Sequence, residues 1–478
     1  MPELLLAIDV GTSSVSAAIF SLGGDLVALT GAPLTSTTPR PGQVEQDAEA
    51  VWRAAQGAVA KALAKARRKP RDLAAIGVTT QRASAVVWDK RTGRALAPMV
   101  VWSDLRGAAR AAELQQAGFM VVPQMAAAKL EAVVASVPDG ATLMGQGRLA
   151  WGNIDAFLIF KLTGGAVHAT DRSQAWPTGY LNLGDMGWNT GLIEHQGLTP
   201  AMFPTLVDTW GPIGVASAKV FGAAVPICAD IADQQSALIA HGETPGHSKV
   251  SYGTSATLNL NTGGAFLYKS PTAPPFVLSS VGGETRFCLE GMVYSAGSAF
   301  DWLRNTCGLG DVAKFEALAA SVPNAGGAFM LPALQGLGAP HGDFDKRGVI
   351  GGISGSTSAA HLARAAMEGV AARVREVFDH LYAVTEIGVP DALRVDGGLT
   401  ANATFMQIQA DLLGRPVMRH AAREATACGA AIGAGRGAGL LSGGDVAAFT
   451  RYDRTFEPAV SADEGEARYR RWLEQAYG

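Results

Sequence analysis

Hydrophobic and polar positions along this chain change period in an order that is read twice. Leu4–Val10 is a short apolar run. The turn Gly11-Thr12-Ser13 and the alternating stretch Ser14–Ser21 follow it, predicting two paired strands around a tight loop. Gly23-Gly24-Asp25 marks the next turn. Asp47 then stands as an N-cap before Ala48–Ala66, an alanine-rich segment that predicts a long helix. Strands are expected at Ala75–Thr79, Ala85–Asp89 and Met99–Trp102, and a helical stretch over Gly147–Leu162, closed by Gly164-Gly165. Past the middle the pattern restarts. Val250–Ser255 and Thr257–Asn261 repeat the strand–turn–strand opening, and Phe287–Tyr294 adds a strand. Helices are expected at Ser298–Thr306, Ser358–Thr385 and Thr400–Leu413, and a charged surface helix at Asp463–Tyr477. The Gly- and Pro-bearing span Gly242–His247 is the natural boundary, dividing the chain into 1–243 and 244–478. Repetition of a strand hairpin followed by helices implies two related α/β domains.

Composition narrows the function classes. With 478 residues, 48% apolar and 17% charged, the chain is long enough for two separately cored domains. A formal charge of −3 gives no electrostatic case for nucleic acid or an anionic membrane as partner. The cluster Lys65-Ala66-Arg67-Arg68-Lys69 ends a helical pattern and reads as a solvated helix end. Cys228, Cys288, Cys307 and Cys428 are widely spaced, with no Cys-x-x-Cys pair, which argues against structural zinc and fits a reducing cytoplasm. No apolar stretch is long enough to span a bilayer, and the N-terminus lacks the pattern of a secretory signal.

Candidate chemistry begins with the two loops. Asp9-Val10-Gly11-Thr12-Ser13 and Tyr252-Gly253-Thr254-Ser255 each place glycine, hydroxyls and successive amides at a strand end. Such a loop lets backbone donors approach an anionic phosphate. One loop per half suits a polyphosphate gripped from both sides, and Asp9 suits a hydrated magnesium ion. ATP is the nucleotide this combination fits. No Gly-Lys dipeptide occurs, so a Walker A loop is excluded.

Four further segments bear on the site. In Thr80-Gln81-Arg82, Arg82 offers a planar donor fork for substrate hydroxyls, and Trp102 offers a wall for a sugar-sized pocket. In Asp230-Ile231-Ala232-Asp233-Gln234-Gln235, a carboxylate is suited to take the proton from an attacking hydroxyl, with Asp230 and Asp233 in competition for that role. Asp396-Gly397-Gly398-Leu399-Thr400-Ala401-Asn402 lies between a strand and a helix, where paired glycines permit close approach of a nucleotide. The Leu334–Pro340 loop, continuing through His341–Gly352 to the helical His361–Gly369, reads mainly as packing.

Taken in order, these segments resemble the FGGY carbohydrate kinase family, and within it the glycerol kinases. The likeness runs over nearly the whole chain. It rests on Asp9–Ser13, Ile76–Arg82, Val86–Asp89, Asp233–Gln235, Tyr252–Thr254, Gly338–Pro340, Arg394–Gly398 and Glu424–Ala430. The resemblance implies two ribonuclease-H-like domains of the actin and hexokinase type with an active-site cleft between them, an N-terminal substrate-binding domain and a C-terminal nucleotide-binding one. It implies ATP and magnesium as cofactors and a small polyol or sugar as substrate. Asp233 is then the expected general base, with Arg82, Trp102, Asp233 and Gln234 on the substrate. Gly11, Thr12, Ser13, Gly253 and Thr254 are expected around the phosphates, Gly297, Gly398 and Asn402 at the adenosine end, and Asp9 and Asp233 toward the metal. A cytoplasmic homodimer or homotetramer is the family expectation.

The departures matter too. Glycerol kinases carry Glu after the Gln-Arg pair where this chain has Ala83. Gln124 and Thr257 stand where two pocket aromatics are expected, and Ser16 stands where an arginine follows the first loop. A site so altered is wider and differently polar, so a larger polyol or a ketose fits at least as readily as glycerol. The alternative is a degenerate relative that binds ATP and a sugar as a regulator. An actin- or chaperone-like ATPase is disfavoured by the Gln-Arg and Asp-Gln-Gln segments.

Overall fold

The computed structural model describes residues 3–422 and 424–478. It divides into two compact units. Unit 1 comprises Met1–Ala240, Phe276–Arg286 and Thr426–Phe449; unit 2 comprises His241–Pro275, Phe287–Ala425 and Thr450–Gly478.

In unit 1 the opening strand Leu4–Val10 lies between Ser14–Ser21, antiparallel to it, and Leu73–Thr80, parallel to it. The six-stranded sheet reads Trp210–Ala216, Val225–Ala232, Leu73–Thr80, Leu4–Val10, Ser14–Ser21, Leu26–Pro33. Its three parallel strands are near-continuous apolar runs, as strands buried on both faces must be. The helix Ala48–Ala66 turns Val51, Trp52, Ala55, Ala58, Val59 and Ala62 inward at helical spacing, and Asp47 caps it by accepting from the Glu49 amide at 2.9 Å.

One sequence expectation is corrected here. The stretch expected as a helix over Gly147–Leu162 is a strand, Leu149–Gly152, followed by a helix that starts only at Ile154. Leu149–Gly152 pairs antiparallel with Val86–Asp89. Trp151 from this strand packs with Tyr180 and Phe203 in a second apolar cluster. Distant ladder partners override local periodicity in this short apolar run.

Unit 2 repeats the arrangement. Ser248–Tyr252 is antiparallel to Ala256–Gly263 and parallel to Leu393–Asp396. The succession Glu284–Val293, Ala256–Gly263, Ser248–Tyr252, Leu393–Asp396, Val417–His420 matches, strand for strand, the succession from Leu26–Pro33 to Val225–Ala232 in unit 1. The 27-residue helix Ala359–Thr385 covers this sheet and buries Met367, Val370, Val374, Val377 and Leu381. Among the described residues, no helix is long and apolar enough to cross a membrane.

Candidate active site

Parallel register decides where the chemistry of unit 1 gathers. Val10 lies opposite Thr80, and Thr80 opposite Ala232, so all three strands end level with one another. Gly11-Thr12, Gln81-Arg82 and Asp233-Gln234 therefore emerge at one edge of the sheet, where ligands of open α/β sheets are held. Arg82 Nε lies 3.5 Å from Asp233 Oδ1, with side-chain exposures of 14% and 24%. The guanidinium also sits over the ring of Phe276, 4.8 Å from its centre. A cation between a carboxylate and an aromatic face is held in one orientation, leaving its remaining N–H groups directed elsewhere.

Burial separates Asp230 from Asp233. Asp230 has no exposed surface; it accepts from the Asp171 amide at 2.9 Å. Burial pushes its carboxyl well above the ordinary range, and the charges of Asp155 and Asp171 push the same way. Asp233 instead opens the helix Asp233–Ala240, its Oδ1 accepting from the Gln234 amide at 2.7 Å. Only Asp233 of the two is open to solvent.

A raised carboxyl makes its stabilising contribution below its unfolded value near 3.8 and loses it as pH rises through the folded value. The neutral isostere escapes that loss. Asp230→Asn is thus expected to melt with the wild type at pH 4 and at least about 2 °C above it at pH 8. Differential scanning fluorimetry across that range checks this; a variant melting lower at pH 8 would contradict a raised Asp230 carboxyl.

The first loop is tied down by amide side chains. Trp102 Nε1 donates to Thr12 Oγ1 at 3.0 Å, and Thr12 Oγ1 donates to Gln81 Oε1 at 3.1 Å. Gln46 Nε2 donates to the Thr12 carbonyl at 2.6 Å, and Gln81 Nε2 to the Gly11 carbonyl at 3.4 Å. The one proton of the Thr12 hydroxyl is spent on Gln81 and the Gly11 amide on the Ser14 carbonyl at 2.9 Å, so the amides of Thr12 and Ser13 are what the loop backbone has to offer an anion. Ser13 is exposed, its carbonyl accepting from Leu34 N at 2.8 Å. Behind the edge, Gln174 Nε2 bridges Thr80 Oγ1 at 2.9 Å and the Ile231 carbonyl at 3.3 Å, joining the strands that lead to Arg82 and Asp233.

Asp9 is half-buried, and its antiparallel partner is Ser16, so the two side chains share a face. Ser16 Oγ is buried without a protein hydrogen-bond partner. A carboxylate beside a hydroxyl with unmet bonding capacity fits a magnesium ion that keeps most of its water shell. Among the described residues, no group of three or more His, Cys, Asp or Glu is arranged to hold a metal ion. Magnesium held through one or two carboxylates and substrate phosphates requires no such group.

In unit 2 the second loop faces a helix N-terminus. The amides of Gly297 and Ser298 donate to the Gly253 and Thr254 carbonyls at 3.0 and 3.1 Å. A Cβ on Gly297 would lie 2.6 Å from the Gly253 carbonyl oxygen, so only glycine fits there. Ser251 and Asp396 are in register, which brings Gly397-Gly398 alongside Gly253. Gly398 is exposed, with open space where a Cβ would stand. Asn402 is buried and caps the helix Ala403–Leu413, accepting from Phe405 N at 2.8 Å.

His241 Nε2 lies 2.9 Å from Asp396 Oδ2. Burial lowers His241 to about 4, so the ring is neutral at pH 7 and donates to the carboxylate. Burial opposes the charge on Asp396 as well, but His241, Lys249 and Ser251 outweigh it and hold its carboxyl below the usual range.

The structure thus brings Gly11, Thr12, Arg82, Trp102, Asp233 and Gln234 to one edge of unit 1. It brings Gly253, Thr254, Gly297 and Gly398 to one edge of unit 2. Sequence reading missed Gln46, Gln81 and Gln174 as supports; Gln81 stood in the quoted Thr80-Gln81-Arg82 segment, directly after an apolar strand, but nothing local marked its bond to the Thr12 loop. Nothing local marked Phe276. The substituted positions are also placed: Ala83 is buried with φ 56°, Thr257 is buried in unit 2, and Gln124 is half-buried before the turn Ala126–Ala128.

Models of the N- and C-terminal domains of the FGGY family of carbohydrate kinases match residues 4–240 and 248–438. The chain is 38% identical to a glycerol kinase of Thermus brockianus, covering 100% of this chain and 99% of that protein. It is 39% identical to one of Aromatoleum aromaticum, covering 99% of each. Among solved structures, a Plasmodium falciparum glycerol kinase with ADP superposes with a TM-score of 0.89 at 24% identity, over 99% of this chain and 98% of that one. A xylulose kinase from Rhodospirillum rubrum superposes at 0.82 and 27% identity, with the same coverage.

Proposed function

This chain belongs to the FGGY family of carbohydrate kinases, and on that footing we propose that it transfers the γ-phosphoryl group of ATP to a hydroxyl of a polyol or ketose larger than glycerol. The observation that carries the reading is the common edge of unit 1, where Asp233, Arg82 and the Thr12 loop end level with one another. Asp233 takes the proton of the acceptor hydroxyl as its oxygen forms a bond to the γ-phosphorus. The bond from that phosphorus to the bridging oxygen breaks, and ADP leaves. Arg82, fixed by Asp233 and Phe276, and Gln234 orient the acceptor, and Trp102 walls the pocket. Residues 1–243 serve the acceptor. Residues 244–478 serve the nucleotide, with Gly253, Thr254 and Gly297 toward the phosphates and Gly398 and Asn402 toward the adenosine. Magnesium would be held by Asp9 and Asp233 through water, and supplies neutralisation of phosphate charge.

Relatives at 34–39% identity are named glycerol kinases, while several fold neighbours are xylulose kinases. The chain's own residues support the larger acceptor. Ala83 offers no acceptor atom to a substrate hydroxyl. We place the protein in the cytoplasm, where ATP and such acceptors meet, and expect a homodimer or homotetramer.

The test is ADP release with magnesium ATP against glycerol, erythritol, pentitols, xylulose, ribulose, hexitols and other ketoses. Selective turnover of a four- to six-carbon acceptor is expected. ATP binding without turnover of any acceptor would favour a regulatory protein instead. A companion variant probes the pocket: Ala83→Glu should improve kcat/KM for glycerol relative to the preferred acceptor by about tenfold, as one charge-assisted hydrogen bond implies. An unchanged ratio would mean that position 83 does not face the acceptor.

A further inference from the structure

Lys129 has no exposed surface, and among the described residues no carboxylate side chain lies at hydrogen-bond distance from its ammonium group. It points instead into the loop that carries Trp102. Lys129 Nζ donates to the carbonyls of Val101, Trp102 and Asp104 at 3.0, 3.3 and 3.2 Å. An ammonium has three protons, and three acceptors from one short loop use them all. The same loop is pinned at its far end, where Gly107 lies so close to the Ala128 carbonyl that no side chain fits between them. Asp104, fully buried, takes the Val44 amide at 2.6 Å and the Arg106 guanidinium, which also reaches Glu45 at 2.7 Å. The loop therefore has no independent freedom. From it, the Trp102 indole donates to Thr12 Oγ1 at 3.0 Å, within the first phosphate loop.

We propose that Lys129 is a positioning residue for phosphoryl transfer: by gripping the 101–104 carbonyls it fixes Trp102 and couples the acceptor wall to the Thr12 loop. The inference rests on the kinase reading above and extends it. A buried ammonium is costly unless it is hydrogen-bonded, and the three loop carbonyls meet that need. Burial lowers its pKa to about 7, opposed by the charge of Asp104 and reinforced by that of Arg106. A neutral methionine of similar length would fill the space and leave the carbonyls unheld.

The experiment compares wild type, Lys129→Met, Trp102→Phe and the double variant in acceptor and ATP kinetics, with circular dichroism and nucleotide binding on each. Lys129→Met should raise acceptor KM about tenfold or more, change kcat by less than threefold, and keep ADP affinity within twofold. Trp102→Phe, lacking the indole N–H, should raise acceptor KM several-fold. The double variant should be no worse than the worse single, because both act through one link. Effects that multiply, or a wild-type acceptor KM in folded Lys129→Met, would overturn the proposal. Unfolded Lys129→Met and Lys129→Gln proteins would overturn it too, making Lys129 a determinant of the fold alone. Absence of wild-type turnover with every acceptor would sink the kinase reading itself and this inference with it.

Discussion

Asp233→Asn should lower kcat by about 10²–10⁴-fold while leaving ADP binding within about twofold of wild type. The substitution keeps size and an oxygen able to accept from the Gln234 amide, so the start of the helix Asp233–Ala240 is preserved. What it removes is the carboxylate charge beside Arg82, and with it the proposed base for the acceptor hydroxyl. A loss of that size is about 3–5 kcal/mol of transition-state stabilisation. It should appear in kcat with little change in acceptor KM, since an amide still accepts a hydrogen bond from a bound hydroxyl. Asp233→Ala should lose turnover at least as completely. Near-normal kcat in either variant would remove Asp233 from the base role. Asp230 would not inherit it, being sealed from solvent, with burial pushing its carboxyl well above the ordinary range.

Gly397→Ala should weaken ATP binding at least about tenfold and lower the melting temperature, whereas Gly398→Ala should weaken ATP binding with the melting temperature nearly unchanged. Gly397 has φ 91° and ψ 169°, a region essentially closed to residues with a Cβ and costing about 1–3 kcal/mol to occupy. An added Cβ would also strike the Tyr252 backbone, displacing the strand that delivers Gly253 and Thr254. Gly398 is ordinary in φ and its Cβ would enter open space. A methyl group there disturbs the fold little and fills room a nucleotide would use. Isothermal titration with ADP, read beside thermal melts, separates the two effects. Equal melting points for both variants would show that the Gly397 strain is not felt, and unaltered ADP affinity in Gly398→Ala would move the nucleotide away from this turn.

The outcome for particular residues shows what a linear reading carries. Asp47 as an N-cap, the helix beginning at Ala48 and the paired strands around Gly11 and Gly253 were all expected and are all present. Each is set by interactions spanning a few neighbours: a side chain capping an amide two residues on, or a glycine closing a turn. The loops and segments that compose the candidate site were visible for the same reason, as unusual polar residues at the ends of apolar runs. Leu149–Gly152 was misread because its strand character comes from Val86–Asp89, far away in the chain.

The sequence alone determined the duplicated α/β plan, the two phosphate-type loops and the family, because period, turn chemistry and motif order are local or additive along the chain. Tertiary structure alone gave Asp230 and Asp233 their different surroundings, since equal carboxylates differ only in what lies around them once the strand is buried. It likewise set Phe276 over Arg82 and buried Lys129, which follows three alanines, against the carbonyls of the 101–104 loop. Burial and the meeting of distant segments fix both charge state and direction of a side chain, and neither is written in its neighbours along the chain.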